Sequence, residues 1–266
     1  MQAVRPAAVA GMFYPDARAR LAADVQRYLA DALPTAGAAP KAVIVPHAGY
    51  VYSAPIAAAA YARLAALRGR VRRVVLLGPT HRVPVRGLAV PSAQAFATPL
   101  GDVTIDQEAL ARVSDLPQVV TSDAAHAREH ALEVQLPFLQ AVLGEFALVP
   151  FAVGDASSEE VAQVLDAVWG GPETLIVVSS DLSHYLPYAA AQRRDRATAD
   201  AILALDDALD HEQACGATPI NGLALVARRR GLVPSLLDLR NSGDTAGDRD
   251  RVVGYASFAF TDHAND

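Results

Sequence analysis

The stretch Lys41–Tyr50, KAVIVPHAGY, decides the fold. Ala42–Val45 is a short apolar run, rich in β-branched residues, that stops at Pro46 and delivers His47 at once. A buried parallel strand ends this way when its carboxyl end opens onto a site. The figure recurs twice. Val71–Leu77 runs through Gly78, Pro79 and Thr80 to His81, and Leu175–Val178 runs through Ser179, Ser180 and Asp181 to His184. Three predicted strands thus each carry a histidine just past their C-terminal ends.

Helical patterns fill the intervals. A helix is predicted over Ala17–Leu33, capped by Asp16, with Leu21, Val25, Tyr28 and Leu29 on one face. Pro34–Pro40 reads as a linker, Ala54–Leu67 as the next helix, and Gly87–Val90 as a short apolar run. Phe96–Thr104 reads as a turn and edge strand, and Asp106 as the cap of a helix to Val113. Val119–His126 reads as loop. A helix follows over Glu129–Leu143, with Leu132, Leu136, Leu139 and Leu143 at helical spacing and a kink at Pro137. Phe146–Val153 is a strand, and Ser157 with Glu160 forms a capping box for a helix ending at Trp169–Gly170. Helices are expected over Ala189–Leu205, over Asp207–Ala214 and from Pro219 or Ile220 to Arg230. Ser235–Leu239 and Val252–Phe260 are the last strands, joined by the polar loop Asn241–Arg251. Strands alternate with helices without a composition break or a fixed repeat. The expected architecture is one α/β domain spanning 1–266, with a central, mostly parallel sheet flanked by helices. Ligands in such sheets gather at the carboxyl ends of the strands, where His47, His81 and His184 fall.

The totals narrow the function. A chain of 266 residues, 52% hydrophobic and 20% charged, buries a sizeable core and is not disordered. A net charge of −6, with no basic cluster interleaved with aromatics, argues against nucleic acid. The densest basic run, Arg228–Arg230, precedes Gly231 and reads as cations closing a helix. A single cysteine, Cys215, excludes an internal disulfide and fits a reducing compartment. Without a signal-type apolar segment or a membrane-length stretch, a cytoplasmic protein with no membrane partner is expected.

Six features can carry chemistry. Neutral imidazoles suit zinc, iron, copper and nickel, and three ligands from separate strands leave positions open for water or substrate. Three unrelated loop histidines are the plainer alternative, but their common place on three strands favours a shared site. Glu129–His130 with Glu133 can place His130 in the pocket as an acid/base group oriented by Glu133. Equally, it can be a helix first turn with His130 at the surface. Asp181 either holds a ligand histidine from behind, coordinates directly, or caps a helix. In Asn241–Asp248, Asp244 can complete a two-His-one-carboxylate set, although Gly and Asp make turns in any protein. Cys215 precedes a helix start, where a thiol pKa can fall, but a lone cysteine is more often a buried apolar group. Tyr50, after Gly49, either donates to a bound anion or packs in the core.

Taken in order, GMFYP (Gly11–Pro15), VPHAGY (Val45–Tyr50), LGPTH (Leu77–His81), EHALEVQLPFL (Glu129–Leu139), SSDLSH (Ser179–His184), CGATPI (Cys215–Ile220), SGDTAGD (Ser242–Asp248) and VVGYA (Val252–Ala256) resemble the Memo family, also called AmmeMemoRadiSam system protein B. The family fold is similar to class III extradiol dioxygenases, which use non-haem iron. The resemblance implies a divalent-metal pocket, iron first and copper or zinc next, lined by His47, His81 and His184. His130 and Asp181 then carry the chemistry, with Tyr50, Glu129, Asp244 and Cys215 on the substrate side. It implies a small-molecule or peptide ligand, and association with radical S-adenosylmethionine and Amme-type proteins. This chain has no CxxxCxxC and is not itself the radical enzyme. Some family members ligate metal with a cysteine of the loop before the last strand, where this chain reads Asp244–Thr245.

Overall fold

The structure is a computed structural model that describes residues 3–32 and 37–262. Residue 33 and the first part of the predicted linker lie outside the described residues. In chain order the elements are β1 (Val4–Arg5), α1 (Arg18–Asp31), β2 (Ala42–Val45), α2 (Tyr50–Arg63), β3 (Arg73–Pro79), β4 (Leu88–Val90), β5 (Ala95–Phe96), β6 (Val103–Thr104), α3 (Gln107–Ala111) and β7 (Val119–Thr121). Then come α4 (Asp123–Ala127), α5 (Leu136–Leu143), β8 (Ala147–Val153), α6 (Ser158–Val168), β9 (Thr174–Ser179), β10 (His184–Leu186), α7 (Tyr188–Leu203), α8 (Ala217–Arg230), β11 (Val233–Asn241) and β12 (Val252–Thr261).

One large sheet runs β10-β12-β2-β9-β3-β8-β4-β7, with β11 also paired to β12. Its centre, β2-β9-β3-β8, is parallel throughout. Antiparallel pairing enters where β12 meets β2 and where β4 meets β8, so the sheet as a whole is mixed. A small second sheet joins β1, β5 and β6. Every residue of β2 and of β9 is buried. Strands buried on both faces need no apolar–polar alternation, which is why these read as continuous runs. Helix α2 packs on β2 and β12, with α1 and α5 against it, while α8 packs on β3 and β9 with α6 against it. This is one α/β domain with a mixed sheet covered by helices.

Several local expectations give way to tertiary context. The N-cap of α1 is Ala17 and takes no side-chain bond, so Asp16 does not cap it. Helix α2 starts at Tyr50, four residues earlier than Ala54, and carries Pro55 inside it. Residues 119–127 form β7 and α4 rather than loop, because Val119–Thr121 pairs with β4 and Ser122 caps the helix. No helix forms over Asp207–Ala214; Asn221 accepts from the Leu209 N–H and donates to the Leu209 carbonyl, holding the segment as turns. The segment Glu129–Leu132 is not helical either. Pro137 lies in the first turn of α5, where its missing N–H has no intrahelical partner to lose, so it starts the helix instead of kinking it. The capping box of Ser157 and Glu160, the Asp106 cap, and the Arg228–Arg230 ending of α8 before left-handed Gly231 all form as read.

Candidate metal centre

Strands β2, β9 and β3 are adjacent, so their carboxyl ends make one ledge. His47 stands two residues past β2, Ser179 ends β9, and His81 stands two residues past β3. A turn at 128–132 lies across this ledge. It approaches β3 closely at Gly78, where an added Cβ would stand 3.0 Å from Leu132 Cδ2, 3.1 Å from Ala131 Cβ and 3.3 Å from Ser179 Cβ. The turn supplies Glu129 and His130. As a result the donor atoms of His47, His81 and His130 all lie within 4.8 Å of one another, and the three can hold a metal ion. Ring centroids are 5.1 Å apart for His47–His81, 5.3 Å for His47–His130 and 4.6 Å for His81–His130.

The hydrogen bonds fix which nitrogens are free. The Ser179 hydroxyl donates to the Ala131 carbonyl at 2.6 Å and accepts from Gln135 Nε2 at 2.7 Å. Its single proton is used, so His47 Nδ1, 2.9 Å away, is the donor to it. His47 therefore presents the lone pair of Nε2. Glu129 does the same for His81: Oε1 accepts from His81 Nδ1 at 2.8 Å, and Oε2 from the His81 backbone N–H at 2.6 Å. A carboxylate behind an imidazole orients the ring and makes its far nitrogen a better ligand. His130 is held by its backbone, which donates to Glu129 Oε1 at 2.9 Å. Its Nδ1 is 3.2 Å from the same oxygen but poorly directed, and it is a buried nitrogen without a hydrogen-bond partner. Two aimed lone pairs and one unsatisfied imidazole are a donor set that fits a borderline divalent cation.

The electrostatics keep those lone pairs open. Burial, aided by the nearby His81, lowers the His47 pKa to about 3. Burial and the nearby His47 lower His130 to about 4. Burial opposes ionisation of Glu129, but hydrogen bonds from His81 and Ala131 outweigh it and bring its pKa down to about 2. Near neutral pH His47 and His130 are thus neutral imidazoles beside an ionised Glu129.

Asp181 is buried and accepts the His47 backbone N–H at 2.7 Å on Oδ1, so it fixes the end of β2 rather than capping a helix. Its pKa is raised, with burial the largest cause. Cys215 lies in the site: Sγ is 3.3 Å from His47 Nε2. Burial, with the Asp181 charge, pushes its thiol up to about 12, the opposite of the lowering that a helix start suggests.

Other candidates stand apart. His184 is exposed on β10, at a register shift next to Tyr185 in a left-handed conformation, and is not one of the three grouped imidazoles. Asp244 is exposed and accepts from the Tyr188 hydroxyl and the Asn241 N–H, closing a loop instead of reaching the imidazoles. Tyr50 is buried among Tyr14, Tyr28 and Phe138, and its hydroxyl donates to the Val134 carbonyl. Glu133 does not orient His130; it binds Arg5 and Tyr14. Sequence reasoning passed over Ser179 and Gln135 as positioning groups. The signal for Ser179 was a polar residue closing an otherwise apolar strand. Gln135, inside an apolar segment, gave a weaker one.

The comparisons agree with this architecture. The family model described as Memo-like protein matches residues 5–259. A MEMO1 family protein of Aquifex aeolicus is 36% identical over 272 residues, covering 97% of this chain and 99% of that protein. A MEMO1 family protein of Sulfolobus acidocaldarius is 34% identical over 233 residues, covering 82% of each. The crystal structure of the uncharacterised protein JW3007 from Escherichia coli K12 superposes with a TM-score of 0.53 at 13% identity, over 81% of this chain and 98% of that one, a likeness of fold alone. This chain belongs to the Memo family, with the fold similar to class III extradiol dioxygenases that membership implies. Among the described residues, no helix is long and apolar enough to cross a membrane.

Proposed function

We propose that this protein binds one divalent metal, iron by preference, through His47, His81 and His130, and carries out a redox or oxygen-using reaction on a small organic substrate there. The observation that carries the reading is the pair of tautomer-fixing acceptors, Ser179 and Glu129, which turn two buried-side nitrogens into donors and leave the far nitrogens free. His47 is 2% exposed, whereas the His81 side chain is 29% exposed, so the group opens outward on the His81 side. A metal bound there supplies an electrophilic centre with open positions. The chain's own groups orient it: Ser179 and Asp181 hold His47, and Glu129 holds His81.

The test is elemental analysis of protein purified without oxygen. Wild type is expected to carry near one equivalent of metal and His47→Ala to lose it; equal contents in the two proteins overturn the reading. A second reading, a module that holds a peptide without turning it over, is favoured by one feature. Val51, Tyr52 and Tyr185 are exposed a few residues from His47 or Asp181 in the chain, and Met12 is exposed as well. Phe13, beside Met12, has its ring 4.7 Å from that of His130. Tight peptide binding that survives metal removal, without turnover, would select this second reading.

A further inference from the structure

We infer that the Tyr255 hydroxyl binds the substrate of this site, donating a hydrogen bond to a carboxylate or other anionic oxygen of a small molecule held beside His47. The inference rests on the metal reading above and adds the chemistry that the substrate must carry. Strand β12 runs antiparallel to β2, with Phe258 level with Ile44, Ala259 with Val43 and Phe260 with Ala42. Continued from residue 258 back to 255, that register brings Tyr255 level with His47. Next to it, the Gly254 N–H donates to the Ser183 carbonyl and the Gly254 carbonyl accepts from the Leu182 N–H, both at 2.8 Å. Tyr255 is thus set between the end of β2 and the segment that follows β9.

The packing of β12 aims the side chain. Residue 254 has to be glycine, because a Cβ there would stand 2.1 Å from Oδ2 of Asp195 on α7. Successive strand residues point to opposite faces, so Tyr255 points away from α7. Its polar neighbours there are Asp181, Tyr52 and Tyr185, of which Asp181 is buried and the two tyrosines are exposed. Tyr255 itself is 1% exposed. Among the described residues its hydroxyl has no hydrogen-bond partner, yet it is not one of the sealed atoms left without one. Those are Nδ1 of His126 and of His130, Nε of Arg194, and the Ser183 and Ser257 hydroxyls. The little of Tyr255 that stays open is therefore its hydroxyl, between the Asp181 carboxyl and the two exposed rings.

A buried hydroxyl without a partner costs stability, because water satisfied it in the unfolded chain. The other buried tyrosines avoid that cost. Tyr14 donates to Glu133, Tyr50 to the Val134 carbonyl and Tyr61 to Gln135. Tyr255 is the exception among the described residues, and it is the one level with His47. Burial, then the Asp181 charge, raises its pKa above the ordinary tyrosine value, so the phenol keeps its proton near neutral pH. A fixed donor of this kind suits an ionised acceptor, with which its hydrogen bond is strongest. The proton stays on Tyr255, and no bond is made or broken.

The experiment loads the metal-free full chain with cobalt(II) under anaerobic conditions. It then titrates the loaded protein with acetate and, separately, with imidazole, following the visible d–d bands. Acetate brings an oxygen that can accept from Tyr255. Imidazole bound through one nitrogen carries its proton on the other and has nothing to accept with. Tyr255→Phe keeps the buried ring and removes only a hydroxyl without a partner in the chain, so the variant is expected to fold and to take up cobalt as wild type does. Its acetate affinity is expected to fall about tenfold or more, with imidazole affinity unchanged. Equal acetate affinities in the two proteins overturn this inference and leave the imidazole site standing. An equal loss for both ligands also overturns it, since a packing role moves both. Failure of wild type to bind cobalt at all overturns the metal reading and this inference together.

Discussion

Glu129 and Glu133 are two buried carboxylates four residues apart, and they do opposite things. Glu133 is satisfied from within the chain. Its Oε2 accepts from Arg5 Nη1 at 2.6 Å and the Ala8 N–H at 2.7 Å, and its Oε1 from the Tyr14 hydroxyl at 2.6 Å and the Val9 N–H at 3.0 Å. Arg5 in turn gives Nη2 to the Glu129 carbonyl and Nε to the His126 carbonyl. Every donor in that network ends on protein, so Glu133 ties the N-terminal segment to the turn at 128–135. Glu129 has equal burial, but its principal side-chain donor is an imidazole whose other nitrogen is free. A buried carboxylate whose chain of hydrogen bonds closes on itself is a fastening. One whose chain ends on an open lone pair is a device for aiming a ligand.

The largest test of this contrast is Glu133→Ala. Removing one member of a buried ion pair leaves the other charge uncompensated, and a loss of about 3–5 kcal/mol is expected. Denaturant unfolding measures it. Metal bound per mole of folded protein is expected to hold at the wild-type value; a loss of metal in step with stability would erase the distinction between the two glutamates.

Acid gives the next effect. His130 has a folded pKa near 4, below the ordinary imidazole value, with burial the leading cause. The unfolded chain takes up a proton that the folded chain refuses, so stability is lost as pH falls from about 6.5 toward 4. One such group contributes up to about 1.4 kcal/mol per pH unit in that window, or about 3 kcal/mol across it. Buried His126 has a pKa lowered to about 4, again mainly by burial, and adds to the same slope. Chelator-treated protein is expected to unfold progressively more easily over this range, and His130→Asn to flatten the slope. An unchanged slope in the variant would place the acid sensitivity elsewhere.

How much of this was legible beforehand follows the range of the forces. The strands that lead to His47 and His81 were readable because burial on both faces leaves an unbroken apolar run; Pro46 marks the first stop, whereas β3 runs on through Gly78 to Pro79. His184 fits the same pattern on paper. It parts from the group because Leu182 and Ser183 turn the chain away to pair β10 with β12, a non-local event. His130 was readable only as an alternative, since the segment carrying it has helical spacing. Its backbone is drawn from helix by Glu129, which accepts the N–H groups of His81, His130 and Ala131 at once. The first of those bonds joins residues 48 apart in the chain. The approach of Cys215 to His47 spans 168 positions, and no local signal encodes it.

Glu129→Gln sharpens the comparison where it is finest. The amide keeps the shape and an oxygen to accept from His81 Nδ1, but it lacks the charge. It also brings an NH2 group to a place where one carboxylate oxygen now accepts the His81 N–H. Loss of the acceptor behind a ligand imidazole typically costs about 10–100-fold in metal affinity, or roughly 1.4–2.7 kcal/mol. Zinc titration of wild type against the variant reads this directly. The same substitution at Glu133 leaves its donors facing an amide far from any free lone pair and reaches Glu129 only through Arg5 and a backbone carbonyl, so its loss of zinc affinity is expected to be smaller than that at Glu129. Equal losses of affinity at 129 and 133 would mean that the two carboxylates act as one network, with the turn between them and not Glu129 alone aiming His81.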